Sequence, residues 1–427
     1  MNFTRETGFL VFRIVIPILV LGIQYVFFKK TERWFRANAP RATGLRATVR
    51  SLFVIFNLAY VATHVYLYMF RVGQGWPIPT PWYVQYGWYP FFLWHGGCFF
   101  IGVILLISKI IKSPFSLSLW LAKRISPTKE KLITLQSSPA FQSFDASRRK
   151  FLQRGMYGLT AVSFGGTAYG MLLEKNECEL TSVEFAFPHL PEQLDGFTIA
   201  LASDVHSSPY MLKEDMDRYA QLVNSLNADM IVMPGDFVTS NHSEVFAFAE
   251  AFNILRAPYG VYGVLGNHDY YSGPDDVAKH VDDCGINLLR NDKVLIEKDG
   301  GKFYLLGVDD VGMQNSAAIK LDEAIGSAPL AVPRILLCHR PYYVKAASEK
   351  NVDLILSGHT HGGQVVLGRF GDVVIAPSRL ASRYVWGKYR HENTHMYVSR
   401  GIGTVGLPVR INCPPEITKI TLRKGNA

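Results

Sequence analysis

Leu354-Ile355-Leu356-Ser357-Gly358-His359-Thr360-His361 sets a short apolar run directly before two histidines one residue apart. The run is short for a helix and reads as a buried strand, which leaves the histidines in the loop at its end. Four other pieces have the same form. Asp204-Val205-His206 follows the apolar run 198–202, and Gly235-Asp236 follows 230–233. Gly266-Asn267-His268-Asp269 follows 261–265, and Cys338-His339 follows 335–337. Helix-patterned stretches at 211–226, 243–255, 274–281 and 317–325 alternate with these runs, which predicts a layered α/β fold. Further strands are expected at 373–375, 395–399 and 417–422. In such a fold the loops after the strands gather at one edge of the sheet, so residues as far apart as 204 and 361 can meet. What meets is Asp204, Asp236, Asn267 and five histidines, and mixed imidazole and carboxylate donors suit first-row divalent metals.

The ordered series D-x-H, G-D, G-N-H-D, a lone H and G-H-x-H resembles the calcineurin-like metallophosphoesterase superfamily over roughly residues 195–400. Gly362, Gly363 and Gln364 complete a turn similar to that of its membrane-anchored bacterial branch. The resemblance implies a four-layer α/β/β/α domain, two packed mixed sheets flanked by helices. It implies two divalent ions (manganese, iron or zinc) that make hydroxide available near neutral pH. Asp204, His206, Asp236 and His361 would hold one ion, and Asp236, Asn267, His339 and His359 the other. His268 would stand near the leaving oxygen, to donate a proton or stabilise developing charge. Asp269 and Asp310 would either orient imidazoles from behind or cap strand ends. Two such ions bring about +4 and the two aspartates return −2, which leaves positive charge for a phosphate anion.

One departure from the superfamily bears on the substrate. Its phosphoprotein phosphatases carry an aspartate three residues after the bridging one, with an arginine behind it; here Thr239 and Ser240 stand there. That favours a phosphodiesterase over a protein phosphatase. Arg340, Arg383, Arg400 and Arg410 could replace the phosphate contact, with Arg340, next to His339, the first choice.

Ahead of this region the chain changes character. Residues 1–173 carry 20 Lys+Arg against 4 Asp+Glu, and the rest 24 against 31, so the parts are +16 and −7. The basic excess lies among apolar stretches, which sets aside nucleic acid as a partner. A spanning helix needs about 20 mostly apolar residues, and 8–28, 52–70, 89–108 and 155–173 qualify as a transmembrane region. The segment 114–122 is too short to span and is expected on the surface. Trp76, Trp82, Trp88 and Trp94 flank the third stretch like an interfacial belt, and His64 and His95 within spans read as packing residues. The loop 29–50 carries seven basic residues and 109–154 carries ten, while 71–88 carries one. Basic loops stay in the cytoplasm, so the domain at 174–427, after a linker at 174–181, would face outward from a bacterial inner membrane. Ser147-Arg148-Arg149-Lys150-Phe151-Leu152 looks like a twin-arginine export signal or an ordinary basic stop; either keeps these charges inside. Ala168 and Gly170 could form a small-x-small cleavage site.

The five cysteines are odd in number and form no C-x-x-C, so no disulfide framework is expected, with Cys178–Cys413 as the one pair to consider. His189, His242, His280, His391 and His395 fall outside the series and read as surface or core residues. The expectation is a membrane-anchored dimetal phosphoesterase that cleaves a phosphodiester or phosphoanhydride in a lipid-linked or envelope substrate. Alternatives are a phosphomonoesterase, or a metal-binding membrane sensor or scaffold without turnover. The expected partners are the membrane and a phosphorylated small molecule or lipid, with no obligate protein partner. Scarce acidic residues in the spans argue against an ion-coupled transporter.

Overall fold

The computed structural model describes residues 15–69, 84–122, 124, 130, 134–310, 314–371, 373–380 and 382–425. The chain divides into two compact units, Met1–Arg71 with Trp88–Ala168, and Val72–Gly87 with Tyr169–Ala427.

The first unit is helical, built from Ile16–Asn38, Thr43–Met69, Tyr89–Ala122 and most of Pro139–Leu172. Among the described residues two stretches, Thr43–Thr63 and Tyr86–Ser118, are long and apolar enough to cross a membrane. They overlap the expected spans 52–70 and 89–108. The expected span 8–28 begins outside the described residues, and its remainder opens the helix Ile16–Asn38. The span expected at 155–173 lies in Pro139–Leu172, where glycines and hydroxyl side chains dilute the apolar surface. Trp76, Trp82 and the side chain of His64 lie outside the described residues. The segment 114–122 is not a separate piece: the helix Tyr89–Ala122 runs on through Pro114. One proline removes one N–H from the ladder, and the apolar turns on either side carry the helix across. His95 is buried with Nδ1 2.6 Å from Gln24 Nε2 and its ring against Tyr60 and Phe91, as a packing residue would be.

The second unit holds the strands β1 (Glu179–Phe187), β2 (Thr198–Leu201), β3 (Met230–Met233), β4 (Val261–Gly263), β5 (Asn287–Leu288), β6 (Asp292–Lys298) and β7 (Gly301–Val308). They are followed by β8 (Arg334–Cys338), β9 (Leu354–Ser357), β10 (Gly368–Phe370), β11 (Val373–Ile375), β12 (Gly387–His391), β13 (Thr394–Val398) and β14 (Glu416–Lys424). One sheet has the order β1-β14-β2-β3-β4-β5 and the other β12-β13-β9-β8-β7-β6, while β10 and β11 form a separate ribbon. Within the sheets, β2 through β5 are mutually parallel, as are β7, β8, β9 and β13.

Alternate side chains explain the layers, because a strand turns successive residues to opposite faces. Ile199, Leu201, Met230 and Val232 meet Ile335, Leu337, Leu354 and Leu356 between the two sheets. The intervening Ala200, Ile231 and Met233 pack outward under the helices Lys213–Ser225, Glu244–Phe252 and Pro274–Asp283. Leu336, Ile355, Met396 and Val398 pack outward on the other side, under Gln314–Ile325 and Val344–Glu349. Both faces of the central strands are thus covered, which is why they read as continuous apolar runs. The result is the α/β/β/α arrangement. The expected linker at 174–181 is shorter than that: a turn at Glu174–Asn176 leads into β1, which pairs with β14 along nine residues.

Candidate metal centre

Every piece of the series sits just beyond the C-terminal end of a parallel strand: 204–206 after β2, 236 after β3, 267–269 after β4, 339 after β8, and 359–361 after β9. The two sheets present these ends together. Three sets of side chains offer ligand atoms within 4.8 Å of one another: Asp204, His206 and His361; Asp236, His339 and His359; and His206, Asp236 and His268. Asp236 belongs to two of them. Its Oδ2 lies 3.1 Å from His339 Nε2 and 3.4 Å from His206 Nε2, and its Oδ1 accepts the His268 N–H at 2.8 Å. On one side His206 Nε2 and His361 Nε2 lie 3.0 Å apart, with Asp204 Oδ1 3.6 Å from the latter. On the other, His359 Nδ1 is 3.2 Å from His339 Nε2.

The backbone makes this convergence possible in an unusual way. Asp204, His206, Asp236, His359 and His361 have φ of 53°, 50°, 56°, 74° and 51°. Left-handed backbone is uncommon outside glycine, although aspartate and histidine tolerate it better than most. It turns the side chains of each D-x-H or H-x-H piece into the space between the loops. Close approach demands glycine as well. A Cβ on Gly358 would overlap the Asp204 carboxylate, and one on Gly266 would overlap Asp236. Asp269 ties the loops down: its two carboxylate oxygens accept N–H bonds from Asp236, Phe237, Val238 and Gly266 at 2.8–3.2 Å. That is the capping role, not the imidazole-orienting one.

The side chains suit a cation. Burial lowers the pKa of His206 to about 3 and holds His359 and His361 well below the ordinary imidazole value, so these rings are neutral with lone pairs to give. His339 donates Nδ1–H to the Pro234 carbonyl at 2.8 Å, which directs Nε2 inward. Burial would raise Asp236, but His339, His206 and His268 outweigh it and hold its carboxyl well below the usual range. Against the lowering by burial, the carboxylates of Asp236 and Asp204 push His339 up to about 10: the site calls for positive charge. Asn267 Oδ1 is buried and has no hydrogen-bond partner among the described residues. A buried amide oxygen left so is costly, and a divalent ion is the partner its chemistry fits.

His268 is half-buried and edge-on to His206, with ring centroids 4.8 Å apart. Its Nδ1 bonds the backbone carbonyl of Thr239 at 2.5 Å. In turn Thr239, Ser240 and Asn241 donate their N–H groups to the buried Glu244 carboxylate. Arg340 flanks His359 and pairs through Nε with Asp310 Oδ2 at 2.6 Å, and the Asp310 carboxylate also helps to raise the His339 imidazole. Two of the other arginines are structural. Arg410 is fully buried and donates to the carbonyls of Arg400, Gly401, Gly403 and Cys413. Arg400 is held by Glu416 and Glu179. Arg383 lies on Tyr384 at the surface. All five cysteines are free.

Residues 197–363 match the calcineurin-like phosphoesterase family. An uncharacterised metallophosphoesterase of Bacillus subtilis is 33% identical over 294 residues, 66% of this chain and 99% of that one. The chain belongs to the calcineurin-like metallophosphoesterases. A Helicobacter pylori metallophosphoesterase is 29% identical over 340 residues, 78% of this chain and 83% of its own. A Danio rerio transmembrane protein with a metallophosphoesterase domain is 32% identical over 267 residues, 60% of each chain. The chain is therefore a phosphoester hydrolase of a family that works with divalent metal ions. Two parts of this metallophosphoesterase's site escaped the sequence reading: Glu244, one acid among many on a helix, and the Thr239 carbonyl, a backbone atom with no sequence signature.

Proposed function

We propose that the chain is a membrane-anchored dimetal phosphodiesterase or phosphoanhydride hydrolase of the membrane-anchored bacterial branch. Its catalytic unit faces outward and its substrate is lipid-linked or part of the envelope. Asp204, His206, Asp236 and His361 would hold one ion and Asp236, Asn267, His339 and His359 the second. The observation that carries this reading is the placement of Asp236 Oδ2 between the two groups, 3.4 Å from His206 of the Asp204, His206 and His361 set and 3.1 Å from His339 of its own set with His359. When bound, the ions supply Lewis acidity and hydroxide near neutral pH.

The chain's own residues do the rest. A protonated His268 has an N–H on each ring nitrogen. Nδ1–H is satisfied by the Thr239 carbonyl, so Nε2–H is free to reach the leaving oxygen and hand it a proton. A backbone carbonyl does here what an aspartate would do in the phosphoprotein phosphatases. Arg340 is held by Asp310 through Nε, and its Nη groups remain to meet a phosphoryl oxygen. A diester carries one negative charge and a leaving alcohol that needs a proton. It is better matched to this set than a monoester dianion, which gains most from an added cationic grip.

The test compares kcat/KM of the full chain, in detergent with saturating manganese, on bis(p-nitrophenyl) phosphate and on p-nitrophenyl phosphate. The diester should be preferred. Replacing Arg340 by alanine should raise KM more than it alters metal content. A strong preference for the monoester would reject the reading.

A further inference from the structure

The ribbon of β10 and β11 presents an apolar face to solvent. Phe370 is 74% exposed, Leu367 71% and Leu380, just beyond the ribbon, 95%. Phe370 pairs across the ribbon with Val373, and Ile375 lies on the same face; both are exposed. The opposite face carries Val374, buried with Val366, Ala376, Val385 and Cys413. A two-stranded ribbon in water normally turns polar side chains outward. Here the alternation is apolar on both sides, and a contiguous exposed apolar patch marks a contact surface.

Charge says what the contact is. Residues 365–391 carry five basic side chains, Arg369, Arg379, Arg383, Lys388 and Arg390, against the single acid Asp372. They lie in the part of the chain, 174–427, whose net charge is −7. Exposed apolar side chains interspersed along the chain with arginines, in a part of the sequence that is otherwise acidic, suit a bilayer with anionic headgroups: the apolar groups enter the acyl boundary and the guanidinium groups stay at the phosphates.

Connectivity points the same way. Within the second unit, Arg410 N–H bonds the Gly170 carbonyl at 3.1 Å, Val366 N–H bonds the Ile411 carbonyl at 2.9 Å, and Leu367 N–H bonds the Ile375 carbonyl at 2.8 Å. The ribbon is therefore two backbone pairings from the end of the helix Pro139–Leu172. Tyr169, Leu172 and Leu173 at that end are themselves exposed.

We infer that the β10–β11 ribbon, with Leu367, Phe370, Val373, Ile375 and Leu380, is a membrane-docking element that inserts into an anionic lipid surface and holds the metal centre there. The inference rests on the reading of the front helices as membrane-embedded and is independent of which phosphoester is cleaved. It also fits a site reached from the membrane plane, since the ribbon begins four residues after Gln364, in the turn that follows His361.

The test uses the full chain reconstituted in vesicles of phosphatidylcholine and phosphatidylglycerol, with Cys178 and Cys284 changed to serine. An environment-sensitive fluorophore is attached at Leu380→Cys, or at the exposed Glu349→Cys at the end of the helix Val344–Glu349 as a control. Quenching by spin-labelled lipid should be about threefold or more stronger at 380 than at 349, as for a side chain at the acyl boundary. It should fall toward the control when Arg369, Arg379 and Arg383 are replaced by glutamate. Phe370→Ser should weaken it too, and as a change at an exposed side chain it leaves the fold intact. Equal quenching at 380 and 349 overturns the inference. A label at 380 shielded from both lipid quencher and aqueous iodide also overturns it, in favour of a protein partner or a second copy. A chain that fails to float with vesicles refutes the embedded-helix reading and the docking element with it.

Discussion

Asn267→Ala should change the stability of the protein in opposite directions with and without metal. The amide oxygen is buried and unpartnered, and leaving such a group unmade costs about 1–3 kcal/mol. In chelated protein the substitution removes that penalty and a little packing, for a net change between about zero and 2 kcal/mol in favour of the fold. With metal in excess, the loss of one donor that weakens its ion about 100-fold, from a hundred times Kd to about Kd, removes about 2 kcal/mol of linkage stabilisation. For a unit of this size each kcal/mol moves Tm by about 2–4 °C. In thermal melts of the full chain, the metal-responsive transition of the variant should therefore lie level with or up to several degrees above the parent in chelator. Excess manganese should lower it relative to that chelated offset by about 4–8 °C, which puts it between about level with the parent and 8 °C below. A variant lower than the parent by the same amount in both conditions would mean that the amide is a packing element, and the assignment of Asn267 as a ligand would fall.

Asp236→Ala should leave the purified protein with neither ion by elemental analysis and with almost no hydrolysis, since the proposal assigns one carboxylate to both ions; retention of one full equivalent would contradict that assignment. His268→Ala should keep its metal content yet turn over about 100-fold more slowly, and an unchanged rate would remove it from the chemistry. A reporter active only outside the cytoplasm should be active when fused after Ala427 and silent when fused within residues 30–50; activity at the latter would invert the orientation. Burial acts to raise the Glu416 carboxyl, but Arg400 and the Tyr397 hydroxyl outweigh it and hold it below its ordinary value of 4.5. Its folded form thus favours the carboxylate, and its contribution is present above 4.5 and lost as pH falls through the folded value. Glu416→Gln should lower Tm at neutral pH and converge on the parent in acid; a constant gap across that range would refute the pair's role.

The parts of the site that were legible in the sequence are those written in side chains behind strands. Runs such as Met230–Met233 and Leu354–Ser357 are apolar on both faces because both faces are covered, and the residues after them had to share an edge. Strand β6 passed unnoticed because charged and apolar residues mix along it at the edge of its sheet. The fate of the arginines was not legible either. Arg410 and Arg340 look alike in sequence, yet one is sealed among carbonyls while the other keeps part of its fork beside His359. Only the three-dimensional neighbours, Gly403 and Cys413 in one case and Asp310 in the other, separate them. The Glu244 clasp on the 239–241 loop depends on backbone N–H groups, which every residue but proline possesses.

The last turn of the helix Pro139–Leu172 bears on how a soluble form of this enzyme could arise. Gly170 accepts the Arg410 N–H, Glu174 accepts the Cys413 N–H, and the Cys413 thiol donates to the carbonyl of His361. A cut just after Gly170, which is buried within the helix against the Arg410 carbonyl, would sever the chain at the point on which those contacts lean. The shed fragment would keep its fold but carry a loosened His361. A secreted enzyme with full metal affinity would have to be released upstream of Tyr169, taking the final helical turn with it.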